Sequence, residues 1–369
     1  MIDRMLAAPT GTNIRKAHMD AVETVIARAG QVQEGADLPE RSQKFEIYAM
    51  SNFRGGIGKS TLSFNLAYEI TDTEKALLLD LCPQRNLSQS IFGDQVLEFE
   101  KTVYDALISE FTSTGEVDYE ELVARVSSYC PSFLGSGRKR SYMIPGSSEL
   151  FLFPSLLYSQ LAQYSQLRGD HGKAASAKVL LAIKTIIKKA SDLVKPTKTL
   201  MDTSPFFGGA THLGWCAADA LIIPVRVDQH SIDALRLTLQ MLADTDSDFH
   251  KFNAQAGLKL SPKVHAIAMT HCGWSRQKKN TPDSSTRFFL QKALEIAKEY
   301  EHLFSEGNAE DCFYLLDDFH SSGRISGKQR IPLSKLDAGQ KFLIDGQRLE
   351  VNPAVDRYKR EIKHLANAF

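Results

Sequence analysis

Several protein classes are excluded by what this chain has little of. Its 369 residues hold five cysteines, Cys82, Cys130, Cys216, Cys272 and Cys312, with no CxxC pair and no zinc-type spacing. That pattern argues against a disulfide scaffold or a zinc module and reads as reduced thiols. There is no excess of either charge: Lys plus Arg is 44, Asp plus Glu is 44, and the formal net charge is +0. Without a global positive field, any contact with nucleic acid must come from a local patch. No apolar run is long enough to span a bilayer. Met1 is followed by Ile2-Asp3-Arg4 rather than an apolar stretch, which argues against a secretory signal and for the cytoplasm. Internal repeats and long low-complexity tracts are also missing. The length suits one large α/β domain with appendages, or two small domains.

Residues 1–44 precede the first strand. Ile14, Val22, Val25 and Ile26 predict one helix over about 14–29, with Gly30 to Arg41 as a polar linker. Residues 45–50 read as a buried strand, and a glycine loop follows at once. Residues 60–70 turn helical, with Leu62, Leu66 and Ile70 on one face. Residues 76–80 lack alternation and read as a strand buried on both sides, which completes a βαβ unit. The stretch 102–170 is less regular. Within it, residues 118–126 read as helix, 135–140 as a basic turn, and 150–153 as a short strand stopped by Pro154. A helix over about 173–192 precedes strands at 200–202, 220–225 and 264–269. Strands alternating with helices predict an α/β fold, a doubly wound, mostly parallel sheet with helices on both faces. The expected division is a helical extension and linker over 1–44 and a nucleotide-binding domain over 45–369, with an irregular insertion at about 102–170.

The chemistry sits in Arg54-Gly55-Gly56-Ile57-Gly58-Lys59-Ser60-Thr61. Between a strand and a helix, its glycines let backbone N–H groups turn onto phosphate oxygens. The helix N-terminus adds its dipole. Lys59 would reach the β- and γ-phosphates, and the Ser60 hydroxyl would ligate Mg²⁺. A glycine turn with a surface lysine would share the letters but not the strand–loop–helix setting. Residues Arg54 to Thr61 are therefore the expected ATP/ADP site.

The ordinary P-loop wants glycine five residues before Gly58, and Phe53 stands there. The loop instead resembles the deviant one of the ParA/MinD family, Lys-Gly-Gly-x-Gly-Lys-(Ser/Thr)-Thr. Asp80-Leu81-Cys82-Pro83-Gln84-Arg85-Asn86-Leu87-Ser88 is similar to the family's Asp-x-Asp-Pro-Gln-x-Asn-Leu-Ser. Asp202-Thr203-Ser204-Pro205 is similar to the Asp-Thr-Pro-Pro after its Walker B strand. Residues 217–225 resemble its next, proline-ended strand, and 330–333 with the final helix sit where the family has its last strand and terminal helix. The resemblance covers about 45–369. It implies a P-loop NTPase fold and an ATP-dependent homodimer that acts in partition or positioning of DNA or a large cargo. It implies catalytic roles for Arg54, Lys59 and Asp80, and a Mg²⁺ site from Ser60 and Asp202.

Two positions depart from the pattern. Arg54 replaces the family's signature lysine, which reaches across the dimer; arginine keeps the charge but adds a bulkier fork. Cys82 replaces the acid that positions the attacking water, and a thiol is a poor substitute. The expectation is a P-loop ATPase with weak intrinsic turnover and a stimulating partner protein. The alternative is a MinD-like, ATP-clamped regulator of a membrane, secretion, division or defence machine. Non-specific DNA is a further candidate partner, with the nucleoid as the place. The basic clusters that could serve it are 138–140, Lys184/Lys188/Lys189, Arg276/Lys278/Lys279 and Arg324/Lys328/Arg330. Val355, Tyr358, Ile362, Leu365 and Phe369 share one helical face, which predicts packing onto the domain rather than a membrane-surface helix. His212, His230, His265 and His271 lack metal spacing and read as structural or surface residues.

Overall fold

The structure, a computed structural model, describes the backbone of residues 11–369 and the side chains from residue 21, apart from positions 37, 40, 42, 113, 114, 168, 276 and 279. The strands are β1 Ile47–Met50, β2 Ala76–Asp80, β3 Ala124–Arg125, β4 Ser141–Ile144, β5 Lys198–Asp202, β6 Ala220–Arg226, β7 Lys263–Cys272, β8 Phe313–Asp317, β9 Lys341–Ile344 and β10 Gln347–Glu350. Eight form one sheet in the order β3-β4-β2-β5-β1-β6-β7-β8, and β9 pairs with β10 as a separate hairpin. All neighbours in the large sheet run parallel except β3 against β4. Two apolar layers cover its faces: Leu77, Leu79, Met201 and Ile223 point into one, Leu78, Leu200 and Ile222 into the other. Central strands buried on both faces read as apolar runs for this reason.

The predicted doubly wound sheet is present, with several local corrections. Helix α1 spans Gly11–Glu34, so the supposed linker begins only after Gly35, whose φ of 83° ends the helix. Val32 is buried with Ala21, Val22, Val25 and Ile26, and this packing carries the helix past Gly30. The side chain of Ile14 lies outside the described residues. Residues 118–126 form no single helix: Val123 is extended after Tyr119–Leu122, and Ala124–Arg125 pair with β4. Residues 150–153 are not a strand. Pro154 sits in the first turn of the helix Phe153–Ser165, where its missing N–H costs nothing, so it starts a helix instead of stopping a strand. The predicted helix 173–192 is two, Asp170–Leu180 and Ala182–Val194, broken at Leu181. Residues 330–333 are no strand either; Arg330 has φ 55° and ends a helix, and the sheet's last strand is β8.

Helix α1 lies along the open edge of the sheet, packed on β8, on the helix Ser284–Glu299 and on the C-terminal helix Val355–Ala366. Arg28 donates to the Phe313 carbonyl of β8 at 2.9 Å and to Glu310 O at 2.6 Å, and pairs with Asp311 at 3.3 Å. Unpaired strand edges invite pairing with other chains, and this one is covered. The C-terminal helix buries Val355, Tyr358, Ile362 and Leu365, with Phe369 beyond it, so its apolar face is taken by its own domain, as predicted.

Candidate functional site

Three strands end level with one another. Met50 of β1 and Asp80 of β2 both register with Asp202 of β5, so the glycine loop leaving β1 rises beside two carboxylates. Helix α2, Lys59–Ile70, starts directly behind the loop with Gly58 as its N-cap. Gly56 and Gly58 have φ of 71° and 85°, and a Cβ on either would meet nothing within 4 Å. The left-handed backbone demands glycine there, and the open space leaves a cradle that a phosphate fits.

Phe53 accounts for the missing P-loop glycine. Its ring stacks on Trp215 at 5.6 Å, and Phe207 stands edge-on at 6.1 Å. The Trp215 indole N–H donates to Ser51 Oγ at 2.8 Å. An aromatic anchor thus holds the first half of the loop where the ordinary motif turns on glycine.

Asp202 is fully buried, and Ser60 Oγ and Ser63 Oγ donate to its two oxygens at 2.6 and 3.0 Å. Ser63 was not read from the sequence, although its i,i+3 spacing from Ser60 puts both on one helix face. Lys59 Nζ donates to the carbonyls of Asn52 (3.1 Å) and Arg54 (2.6 Å). Burial lowers its pKa, against the pull of Asp202. Asp80 is equally buried: its oxygens accept from Cys82 N (3.1 Å), Ser88 N (2.8 Å) and Ser88 Oγ (2.8 Å). Gly146 packs so closely that a Cβ there would come within 2.9 Å of Asp80 O. Asp80 therefore fixes the loop that carries Cys82, and Ser88, the last residue of the Asn-Leu-Ser motif, is its partner.

Burial, and then the charge of Asp202, push Asp80 up to about 7; burial pushes Asp202 up to about 6, against Ser60, Ser63 and Lys59. Both folded values exceed the ordinary carboxylate value, so the folded protein binds more protons than the unfolded chain between about pH 4 and 7. Stability from this pair is greatest below that window and falls as pH rises through it. Thermal melts over this pH range should show the fall in the protein free of Mg²⁺ and nucleotide, and Asp80→Asn should flatten it. An unchanged slope in Asp80→Asn would count against this assignment.

Arg54 is held within its own chain. Its guanidinium is paired with Asp228 and donates to Ser231 Oγ at 3.2 Å. Asp228 also caps the helix Gln229–Ala243 by accepting from Ser231 N at 2.9 Å. No sequence signal linked residues 174 positions apart. Cys82 lines the cleft beside Gly55, Lys59 and Ser60, and burial followed by the charge of Asp80 pushes its thiol up to about 11. The cleft has a volume of about 830 Å³. On the other side of the loop, Thr270, His271, Asp318 and Phe319 border a pocket of about 350 Å³ that shares Gly56, Gly58 and Thr61 with it.

The basic clusters divide. Arg138 lies 3.5 Å over the Tyr68 ring and pairs with Asp72 at 2.8 Å, so it is structural. Lys189 pairs with Glu110 at 2.6 Å, while Lys184 and Lys188 are exposed. Arg276 and Lys279 lie outside the described residues. Arg324, Lys328 and Arg330 line the large cleft, and Arg324 and Lys328 are also about half exposed. Of the histidines, His212 and His265 are buried, and His265 ties Ser305 Oγ (2.9 Å) to Ala368 O (2.7 Å).

Residues 45–253 match the family described as AAA domain. An uncharacterised protein of Methanocaldococcus jannaschii is 24% identical over 234 residues, 63% of this chain and 75% of that protein. Another, from Pseudomonas putida, is 24% identical over 196 residues, 52% of this chain and 59% of its own length. The apo form of McdA of Cyanothece superposes with a TM-score of 0.57 at 17% identity, covering 86% of this chain and 98% of that one; at this identity the likeness concerns the fold. Among the described residues no helix is long and apolar enough to cross a membrane.

Proposed function

From the premise that the chain belongs to the AAA-domain family, with a P-loop of the ParA/MinD type, we propose that it binds ATP with Mg²⁺ and dimerises on the face bearing the loop. In that state it is a ParA-like switch for partition or positioning of DNA or a large cargo. The observation that carries this reading is the convergence of Lys59, Ser60 and Asp202 on a glycine cradle at the ends of adjacent parallel strands.

In this reading the backbone of Gly55 to Thr61 wraps the phosphates, and Lys59 exchanges its loop carbonyls for phosphate oxygens. Ser60 and Asp202 would hold the Mg²⁺. The ion, when bound, supplies positive charge against the phosphates. The smaller pocket by Phe319, which adjoins the cradle at Gly56, Gly58 and Thr61, would take the base and ribose. Asp80 acts as a positioning residue for the Cys82 loop. Arg54 exchanges Asp228 for the nucleotide across the dimer. The loop 204–209, whose Pro205 lines the cleft beside Gly55, meets the start of the helix Phe153–Ser165, where a Cβ on Gly209 would lie 2.9 Å from Pro154. Phe151 and Leu152, just before that helix, and Phe206 on the loop stand exposed, which supports self-association on this face. Hydrolysis is slow, because Cys82 offers a neutral thiol where water needs an acceptor.

Sedimentation and binding to non-specific duplex DNA, each with ATP, ADP or neither across a salt series, test the switch. An ATP-dependent dimer whose DNA affinity falls steeply with salt is the expected result. An ATP-dependent dimer with no DNA binding in any state would favour the second reading, the ATP-clamped regulator, which Cys82 supports. A protein monomeric in every state would count against both.

A further inference from the structure

The wall of the large cleft facing the P-loop carries cations with no role in the reading above. Arg324 and Lys328 stand one turn apart on the helix His320–Gln329, whose Gly323 and Gly327 also line the cleft. Arg324 borders the 350 Å³ pocket as well, so it stands where the two spaces join, beside Gly56, Gly58 and Thr61. The other cations lining the cleft are committed elsewhere. Lys59 is on its loop carbonyls, and Arg330 donates to Tyr129 O at 3.3 Å and sits over Gly93. Arg324 and Lys328 instead share one carboxylate: Asp345, at 3.5 and 3.7 Å. Asp345 has φ 48° in the turn of the β9–β10 hairpin, which packs on this helix. All three side chains are about half exposed, and an ion pair of that kind is weak and easily exchanged. A polyphosphate offers more negative charge and short charge-assisted hydrogen bonds.

We infer that Arg324 and Lys328 are nucleotide-binding cations supplied by the same chain as the P-loop, and that Asp345 is the anion they exchange for the polyphosphate of ATP. The inference rests on the ATP reading above and deepens it. It gives the site a means of telling triphosphate from diphosphate by charge, and it couples occupancy to the β9–β10 hairpin. It also gives Arg324 and Lys328 a nucleotide role where the sequence alone offered them to DNA phosphates.

Equilibrium binding of a fluorescent ATP analogue and its ADP counterpart to the full chain with Mg²⁺ tests this. Arg324→Gln/Lys328→Gln is expected to weaken ATP binding about tenfold or more and ADP binding by much less, the scale of lost charge-assisted hydrogen bonds. Asp345→Asn releases both cations and is expected to tighten ATP binding about two- to threefold, by removing a weak competing pair. This variant acts in the opposite direction, so a general folding defect cannot imitate it. Hydrogen exchange in residues 341–350 should rise on ATP addition. If the unaltered protein binds ATP, Lys59→Ala loses it, and the Arg324/Lys328 double variant binds like the unaltered protein, this inference falls while the ATP reading stands. If the unaltered protein binds neither nucleotide, the reading beneath it falls as well.

Discussion

Cys82→Asp is expected to raise ATP turnover by about a hundredfold, measured as phosphate release at saturating Mg-ATP. The thiol lines the cleft next to Lys59 and Ser60, and with its pKa pushed up to about 11 it stays neutral at pH 7. It is a weak donor and a weak acceptor, so it is a poor anchor for an attacking water molecule. Aspartate is close in size and would place a carboxylate on the same loop, which Asp80 and Ser88 already hold rigid. Cys82→Ser keeps the site uncharged and should remain near the basal rate. The gain carries a cost, since a third carboxyl joins Asp80 and Asp202, both already raised by burial. Melting of Cys82→Asp should therefore drop without Mg²⁺ and nucleotide and recover when they are added. Equal turnover in the three proteins would mean that a carboxylate at position 82 is not what limits hydrolysis.

Removal of residues 1–34 is expected to abolish soluble, cooperative folding. Helix α1 buries Ala21, Val22, Val25, Ile26 and Val32. Their gross burial is worth about 5–8 kcal/mol, on the scale of a whole domain's net stability. The deletion also strips Arg28 from the Phe313 carbonyl and bares the edge of the sheet. Val25→Asp is the gentler test: a carboxylate at a position 1% exposed should cost about 3 kcal/mol or more in urea unfolding. A truncated chain that stays monomeric with unchanged melting would show that α1 is dispensable.

The sequence made the centre of the sheet legible because β1, β2, β5, β6 and β7 each carry a short apolar segment buried on both faces, with no polar alternation across it. It left β4 and β8 unread for different reasons. Ser141-Tyr142-Met143-Ile144 is short, half polar and follows a basic turn. Phe313-Tyr314-Leu315-Leu316-Asp317 carries the same signal as Ala76–Asp80 and Lys198–Asp202, a buried run ending in an acid, and could have been found by that comparison. At the site, Lys59, Ser60 and Asp202 were readable because local spacing and chain context define them. The Arg54–Asp228 pair and the place of Arg324 on the cleft wall were not. Each depends on contacts between elements far apart in the chain, and a charge in a sequence does not say which way it will face.

The docking of α1 also sets an order of events during synthesis. Arg28 and its partners Glu310, Asp311 and Phe313 are separated by 282 to 285 residues. At about 5–20 residues per second, the helix leaves the ribosome roughly 15–60 s before its landing site exists. For that interval its apolar stripe has no native partner, and it is a natural place for a chaperone to hold. Closure of this sheet edge therefore waits for β8, and a helix made early completes a strand made late.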